Sequence, residues 1–540
     1  MSYLLVIFWL IYLWRWAAAD SVSARSRLLT LGLLAATCGL MFVRFVFPLH
    51  GYLDIFTIDD SYITLTAQRN LAEHNLFAVN PAAPLAGITS PLHVAVVGLL
   101  AKLMPLGVAS RLFGLLAFMA LCFGVFVWAE LLGADTRLAT AAAVVVAVSG
   151  QMTAYALNGL ETILFTAAII WCFAAYELAR RRTGFFYLLG FLLGLSILTR
   201  PEGWFLAGAL YLVAVAANLR RWRVLLHVAL SGMLALAVVA PYLILNHVLL
   251  GAFFPLTVSA KKYFFAEMCR PWSDRFRTLG DALAILLGAF VWAAPLLIWS
   301  KAFLRRIYPL LFILIFYAAY LIEFAGALLH YGGRYEHPLV PVLLTGAVLG
   351  ADGLVRWARR FPSWIPRFLT GGLIVLFAWL TAFSGVTHQH LYRFRLEHTK
   401  NELLPVVDWL KAHSAPGDLI AAHDIGALYY FGERPVLDLV GLTDPEVAHV
   451  HADLADPCRD RAMRKIALYM LLEERRPKLI SMFQKWDVNY LGLRHHDEGR
   501  HIREVGHLST GAGGSVYYFY ECDWERNLKK HEPPAPALSQ

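Results

Sequence analysis

The sequence predicts a polytopic helical membrane protein with a small α/β domain at its C-terminal end, and three observations predict it. Of 540 residues, 59% are hydrophobic and only 16% charged, an apolar share larger than the core of one soluble domain takes up. Apolar stretches of about 17 to 25 residues recur between residues 28 and 385, each long enough to cross a hydrocarbon layer of about 30 Å as a helix. Past residue 386 the hydropathy falls, and turn residues separate short apolar runs. The expectation is a membrane all-α region of 11 to 13 transmembrane helices over residues 1–385, followed by an extracytoplasmic α/β domain over 386–540 whose tail, "HEPPAPALSQ", is too polar and Pro-rich to fold.

Charge sets the orientation. The net charge of +9 comes largely from short basic clusters between apolar runs: Arg25 and Arg27, Arg180 to Arg182, Arg220, Arg221 and Arg223, Lys301 with Arg305 and Arg306, and Arg356, Arg359 and Arg360. This is the positive-inside pattern and not a face for nucleic acid. With these clusters cytoplasmic, residues 49–90, residues 246–279 and everything after residue 386 lie outside. So do the short turns "NGLET", "TRPEG" and "YGGRYEHP". One parity conflict follows, because residues 91–106, 112–132 and 138–157 read as three spans where the charges require an even number. Either 91–106, with Pro91, Lys102 and Pro105, is re-entrant or one charge marker misleads. Residues 1–19 lack a basic segment ahead of their apolar stretch, which fits a short first span or an interfacial helix better than a cleaved leader.

Within the C-terminal domain, "ELLPVVDWLKAH" has the spacing of an amphipathic helix. "LIAAHDIGALYYF", "PVLDLVG", "VNYLGLR" and "VYYFYEC" read as buried strands or strand ends. Cys38, Cys122 and Cys172 sit in apolar runs as small hydrophobes, whereas Cys458 and Cys522 lie in the polar region and are candidates to pair in an oxidising compartment.

The candidate site starts from the doubled acid in "FTIDDSYITLTAQRNLAEH". Asp60 can cap the helix that follows, which accounts for one Asp and leaves the other over. Two carboxylates at a helix start are expected to stay ionised. They can hold a divalent cation, the one cofactor the pair admits, or take a proton from an attacking hydroxyl. Asp59, first of the pair, is the favoured base, with Asp60 as second ligand or cap.

The loop continues "NPAAPLAGITSPLH", and the whole run "DDSYITLTAQRNLAEHNLFAVNPAAPLAGITSPLH" resembles the first-loop signature of GT-C fold glycosyltransferases that use polyprenyl-phosphate sugars. Further motifs follow in that family's order: "NGLETILF" (158–165), "LTRPEGWFL" (198–206), "GAFFPLTVSAKKYF" (251–264), "GGRYEHPLVPVL" (332–343) and "AAHDIGALYYFGERPVLDLVGLTDPEV" (421–447). The similar subgroup is the bacterial arabinofuranosyltransferase-like set that takes arabinose from decaprenyl-phospho-arabinose. The chain departs from that pattern at His93, where the family has an aromatic residue after "SPL", and in "FFPLTVSAKK", where it usually has an Asn.

The resemblance implies a bacterial inner-membrane enzyme whose site faces the periplasm or cell exterior. It would pass a sugar from a polyprenyl-phosphate donor to a hydroxyl on a polysaccharide, glycolipid or protein, among membrane lipids and without nucleic acid. Asp59 and Asp60 would be catalytic. Lys261, Lys262, Arg200 and Arg334 would hold the donor phosphate, since outward or intramembrane basic residues require a ligand or partner. Glu161, Glu202, Thr89, Ser90, His423 and Asp424 would bind substrate. The plain alternatives are that Arg200 and Glu202 form a structural pair, that Lys261 and Lys262 touch headgroups, and that the His423–Asp424 pair is structural. A transporter or flippase of lipid-linked saccharides is the rival class. It leaves the doubled Asp and the C-terminal domain without a role.

Overall fold

A computed structural model describes residues 24–47, 55–288, 293–452, 458–509 and 516–525, together with Leu5, Phe8, Trp9 and Tyr12. The C-terminal tail and most of the first apolar segment, with the expectations attached to them, lie outside these residues. Among the described residues six helices are long and apolar enough to cross a membrane. The bent pair Thr136–Ala147 and Gly150–Leu157, angled at 56°, makes a seventh, and four shorter apolar helices accompany them. In hydrocarbon a helix is the one open-ended segment that satisfies its own backbone, so length and apolarity together dictate this architecture.

The basic clusters gather at one end of the bundle. Arg27 pairs with Glu130 at 3.4 Å, Arg181 donates to the Leu131 carbonyl, and Arg306 reaches Glu177 at 2.8 Å. Lys102 is hydrogen-bonded to Asn75 just past the helix Asp59–His74. The helix Pro91–Ala101 has 11 residues, about 16 Å at 1.5 Å per residue, short for a crossing, and Leu106–Leu131 is the next helix long enough to make one.

The long helix Trp364–His398 runs on past residue 385 and leads through Leu404–Ala412 into a five-stranded sheet of order β2-β1-β3-β5-β4. Here β1 is Ile420–Ala422, β2 Val436–Asp438, β3 Leu479–Phe483, β4 Ile502–Ser509 and β5 Val516–Cys522. The first three are parallel, with Ile420 opposite both Val436 and Leu479, and β5 lies antiparallel to β3 and β4. "VNYLGLR" is not a strand. The Asp487 carboxylate accepts the Leu493 N–H at 2.7 Å and the Arg494 guanidinium at 2.9 Å, winding that segment into helical turns. Strands β3 and β4 supply the positions that reading missed.

Two helices of the membrane region hold this domain: Leu256–Phe265, whose Phe264 packs on His451, Trp486 and Tyr490, and Asp59–His74. Asp59–His74 spans both ends of the short helix Gly426–Phe431. Asp59 accepts the Gly426 and Ala427 N–H groups at 2.8 and 2.7 Å, and Arg69 donates to the Tyr430 and Tyr429 carbonyls at 2.8 and 3.3 Å. A carboxyl at the amino end and a guanidinium at the carboxyl end satisfy backbone groups that have no intrahelical partner, and the guanidinium also opposes the helix dipole.

A disulfide adds a further tie, and it corrects the expected pairing: Cys458 bonds Cys269, just beyond the helix Leu256–Phe265, while Cys522 is buried in β5 as a free thiol. The chain between the bonded cysteines is 189 residues, so its loss should cost about 2–4 kcal/mol. Cys458→Ser should lower the melting temperature by several degrees and expose Cys269 to a membrane-impermeant maleimide in intact cells. Labelling of Cys269 in the wild-type protein would show that the bond does not form.

Candidate active site

Adjacent residues on a helix point about 100° apart, and the acidic pair uses that difference. Ile58, not an Asp, occupies the N-cap of Asp59–His74, with no side-chain cap bond; the capping role expected of Asp60 does not occur. Asp59 turns to the C-terminal domain, as described. Asp60 turns into a cavity of about 440 Å³ and accepts the Arg334 Nη1 at 3.0 Å.

That cavity collects nine of the twelve predicted site residues. Asp60, Thr89, Ser90, Glu161, Arg200, Glu202, Lys261, Lys262 and Arg334 line it; Asp59, His423 and Asp424 do not. Thr89 and Ser90 come from the turn before Pro91, Glu161 and Arg200 with Glu202 from the ends of apolar helices, the lysines from Leu256–Phe265, and Arg334 from the Gly-rich turn. At Gly87 the backbone has φ +83°, and a Cβ would stand 2.7 Å from the Thr443 methyl. Only glycine fits where the first loop meets the C-terminal domain. Leu442 of that domain forms part of the cavity wall.

The four basic side chains are not equivalent. Arg200 is 3% exposed and fully engaged, its Nη1 2.7 Å from Glu161 and its Nη2 2.6 Å from Glu202. Tyr320 donates to the same Glu202 at 2.7 Å. This is the structural pairing, extended to a triad, and not a phosphate site in waiting. Lys262 pairs with Glu323 at 2.9 Å. Lys261 has no carboxylate partner among the described residues and reaches only the Tyr335 hydroxyl, at 3.5 Å. Arg334 forms the ion pair with Asp60 at 3.0 Å and stacks over Tyr335 at 5.2 Å.

Electrostatics separate the two acids. Burial pushes the Asp59 carboxyl up to about 8, and the neighbouring Asp424 and Asp60 charges add to this against the two backbone bonds. Burial also opposes ionisation of Asp60, but Lys261 and Arg334 outweigh it and hold that carboxyl well below the ordinary range. The expectation that both stay equally ionised is therefore corrected: the shared helix start matters less than what each carboxyl faces.

A divalent cation does not fit these side chains. No group of three or more His, Cys, Asp or Glu is placed to hold a metal among the described residues. The Asp59 oxygens are committed to amides, and the space in front of Asp60 already holds two positive charges.

His423 and Asp424 lie behind the site. Asp424 accepts from Tyr517 and stands 3.5 Å from His423, consistent with a supporting role. His93 hydrogen-bonds Gln68 at 3.2 Å and does not line the cavity. The sequence reading missed Tyr320, Glu323 and Tyr335. Glu323 carried a usable signal, a lone acid closing an apolar run; Tyr335 stood unremarked within a motif already singled out.

Fold and cavity together define a membrane protein of the GT-C fold with a polar, charge-balanced site at one face of its bundle. The comparisons agree on the fold. ArnT from Cupriavidus metallidurans bound to undecaprenyl phosphate superposes with a TM-score of 0.56 at 13% identity, over 90% of this chain and 97% of that one. The Archaeoglobus fulgidus oligosaccharyltransferase complex with Zn and sulfate gives 0.51 at 13%, over 90% and 72%. AglB from the same organism, with an inhibitory peptide and a dolichol-phosphate, gives 0.51 at 12%, over 93% and 75%. Residues 389–520 match a domain of unknown function, DUF8728. No curated protein sequence matches that of this chain.

The raised Asp59 carboxyl carries a pH signature. The folded protein holds a proton there that the unfolded chain, with an ordinary value of 3.8, releases. The stability this proton provides is complete below that value and is lost as pH rises through about 8. Wild type should therefore lose melting temperature relative to Asp59→Asn between about pH 5 and about pH 9. A gap that stays constant over that range would contradict the assignment.

Proposed function

We propose that this protein is a multi-pass membrane glycosyltransferase that takes a sugar from a polyprenyl-phosphate donor and passes it to a hydroxyl acceptor on the extracytoplasmic face of a bacterial inner membrane. One observation carries the reading: Lys261 and Arg334 face the same cavity and both act on the single Asp60 carboxylate. Two cations that share one carboxylate in a partly apolar cavity leave a positive charge that is costly unless a further anion joins them, and a lipid phosphate at headgroup depth is such an anion. The likeness to lipid-phosphate-bound structures supports the choice of anion. The Cys269–Cys458 bond supports the outer face, because such bonds persist in oxidising compartments.

In the transfer, the acceptor oxygen forms a bond to the anomeric carbon as the bond from that carbon to the phosphate oxygen breaks. The bonding pair leaves with the phosphate, and the hydroxyl proton passes to Asp60. Lys261 and Arg334 stabilise the phosphate as its charge grows. These are the cations that hold Asp60 ionised. When the phosphate draws on their charge, Asp60 becomes a stronger base, so donor binding itself prepares the proton acceptor. Thr89 and Ser90 supply hydroxyls to the sugar, and the Glu161–Arg200–Glu202 triad fixes the cavity wall. Arabinofuranose is the sugar that the motif resemblance favours.

Asp60→Asn should lower transfer by roughly 100 to 10,000-fold while undecaprenyl phosphate still binds. Lys261→Gln should weaken that binding about tenfold, or 1.4 kcal/mol. Both are read on purified protein of unchanged size-exclusion profile with defined polyprenyl-phospho-sugars. Full transfer by Asp60→Asn removes the proposed base. Lipid-linked sugar crossing a vesicle without hydrolysis or transfer would point to the transporter class instead.

A further inference from the structure

Arg334 separates the cavity just described from a second, smaller chamber of about 150 Å³, room for about five waters. The two differ in charge. In the first, Asp60, Glu161, Glu202 and Glu323 offset four basic side chains. The second is lined by Arg334 and Arg395 with His337 and His388, and no Asp or Glu lines it. Thr57 and Ile58, directly before the acidic pair, form its side nearest Asp60.

Its polar groups are under-used. Arg395 donates its Nη2 to the Tyr331 carbonyl at 3.0 Å, also hydrogen-bonds the Tyr155 side chain, and forms no ion pair among the described residues. The Arg334 Nε is buried without an acceptor, and so is the Gln151 Oε1 without a donor. Gln151 is 5% exposed and lines the chamber. Arg395, without an ion pair, and the unfilled Nε edge that Arg334 keeps beyond its Asp60 pair call for an anion, and the Gln151 oxygen calls for a hydroxyl.

We propose that this chamber binds the acceptor through an anionic, hydroxyl-bearing group, a phosphate or carboxylate on a saccharide or polyol. The inference rests on the transfer reading above and adds the acceptor's chemical class to it. Arg334 is the hinge of the arrangement. Its Nη1 holds Asp60 beside the donor cavity, while its unused Nε is available to the acceptor's anion. A hydroxyl a bond or two from that anion then lies next to the Asp60 carboxylate, on the side away from Lys261. An acceptor without charge would leave Arg395 unneutralised and the Arg334 Nε unfilled, so the chamber selects for acidic acceptors. The same chemistry could also come from a second phosphate on a diphosphate-linked donor, and the test separates the two sources.

Full-length protein in detergent is saturated with undecaprenyl phosphate, and inorganic phosphate is titrated against its melting temperature, with chloride at matched ionic strength as the control. Phosphate should stabilise the wild type further. Arg395→Gln and Gln151→Glu should each raise the half-saturating phosphate at least about tenfold while leaving undecaprenyl phosphate affinity within about twofold. Arg395→Lys should retain a partial response. If phosphate adds no stability beyond chloride, or if both variants respond as the wild type does, the chamber is not an anion site. If the wild type prefers undecaprenyl diphosphate to the monophosphate tenfold or more and Arg395→Gln abolishes that preference, the chamber serves the donor and the acceptor assignment falls. Lys261→Gln reports separately on the donor reading, since an unchanged lipid affinity there defeats the transfer proposal whatever Arg395 does.

Discussion

The contact on which the site depends is the grip of one helix on another: Asp59 at the amino end of Gly426–Phe431 and Arg69 at its carboxyl end, both from Asp59–His74. A six-residue helix has too few internal hydrogen bonds to stand by itself. With its open N–H and C=O groups met by charged side chains, it becomes a fixed part of the wall. The same grip fixes the rotation of Asp59–His74, and that rotation sends Asp60 into the cavity. Gly426 shows how close the approach is, since a Cβ there would come within 2.0 Å of the Asp59 carbonyl oxygen. Docking of the C-terminal domain and aim of the Asp60 carboxylate are thus one event.

Charge pairing inside the cavity divides its residues into wall and ligand site. Arg200, with two carboxylates and a tyrosine hydroxyl nearby, has no capacity left for an incoming phosphate, and displacing either acid would leave it buried alone at a cost of several kcal/mol. Lys261 and Arg334 keep capacity. The lysine's partner is a neutral hydroxyl, and the arginine retains an unfilled N–H. A guanidinium can serve two anions at once through its separate edges, which a lysine cannot do with the same directionality. This makes Arg334 the residue that joins the two chambers.

Much of this was legible in the sequence because the physics there is local. Apolar length identified the membrane helices, basic clusters ordered their ends, and charged residues at span termini named most of the cavity lining. The roles within the cavity were not legible, because they depend on partners far away in the chain. Asp59 and Asp60 are neighbours in sequence, yet Asp59 meets residues 426 and 427 while Asp60 meets residue 334. No local rule says which faces which. The same limit explains the cysteines: Cys458 and Cys522 share a domain, but Cys458 meets Cys269 across the boundary between loop and domain. "VNYLGLR" failed for a different reason. Its alternating pattern suits a strand, and a single buried carboxylate, Asp487, gathers enough hydrogen bonds to override it.

The position of the soluble domain also explains why the acidic pair is doubled. One Asp would serve either docking or chemistry. A lone carboxylate doing both would have to face the buried docking surface and a cationic cavity together, and those demands oppose each other: burial and the neighbouring Asp424 favour a protonated group there despite its amide donors, while Lys261 and Arg334 favour an ionised one. Placing the two roles on consecutive residues lets each carboxyl keep the protonation state its surroundings prefer, while the helix backbone couples them mechanically. Anything that loosens Gly426–Phe431 from Asp59 therefore reaches Asp60 as a change of direction rather than of charge, and the adjacent Leu442 and Thr443 contacts on the first loop resist that motion from the other side of the cavity.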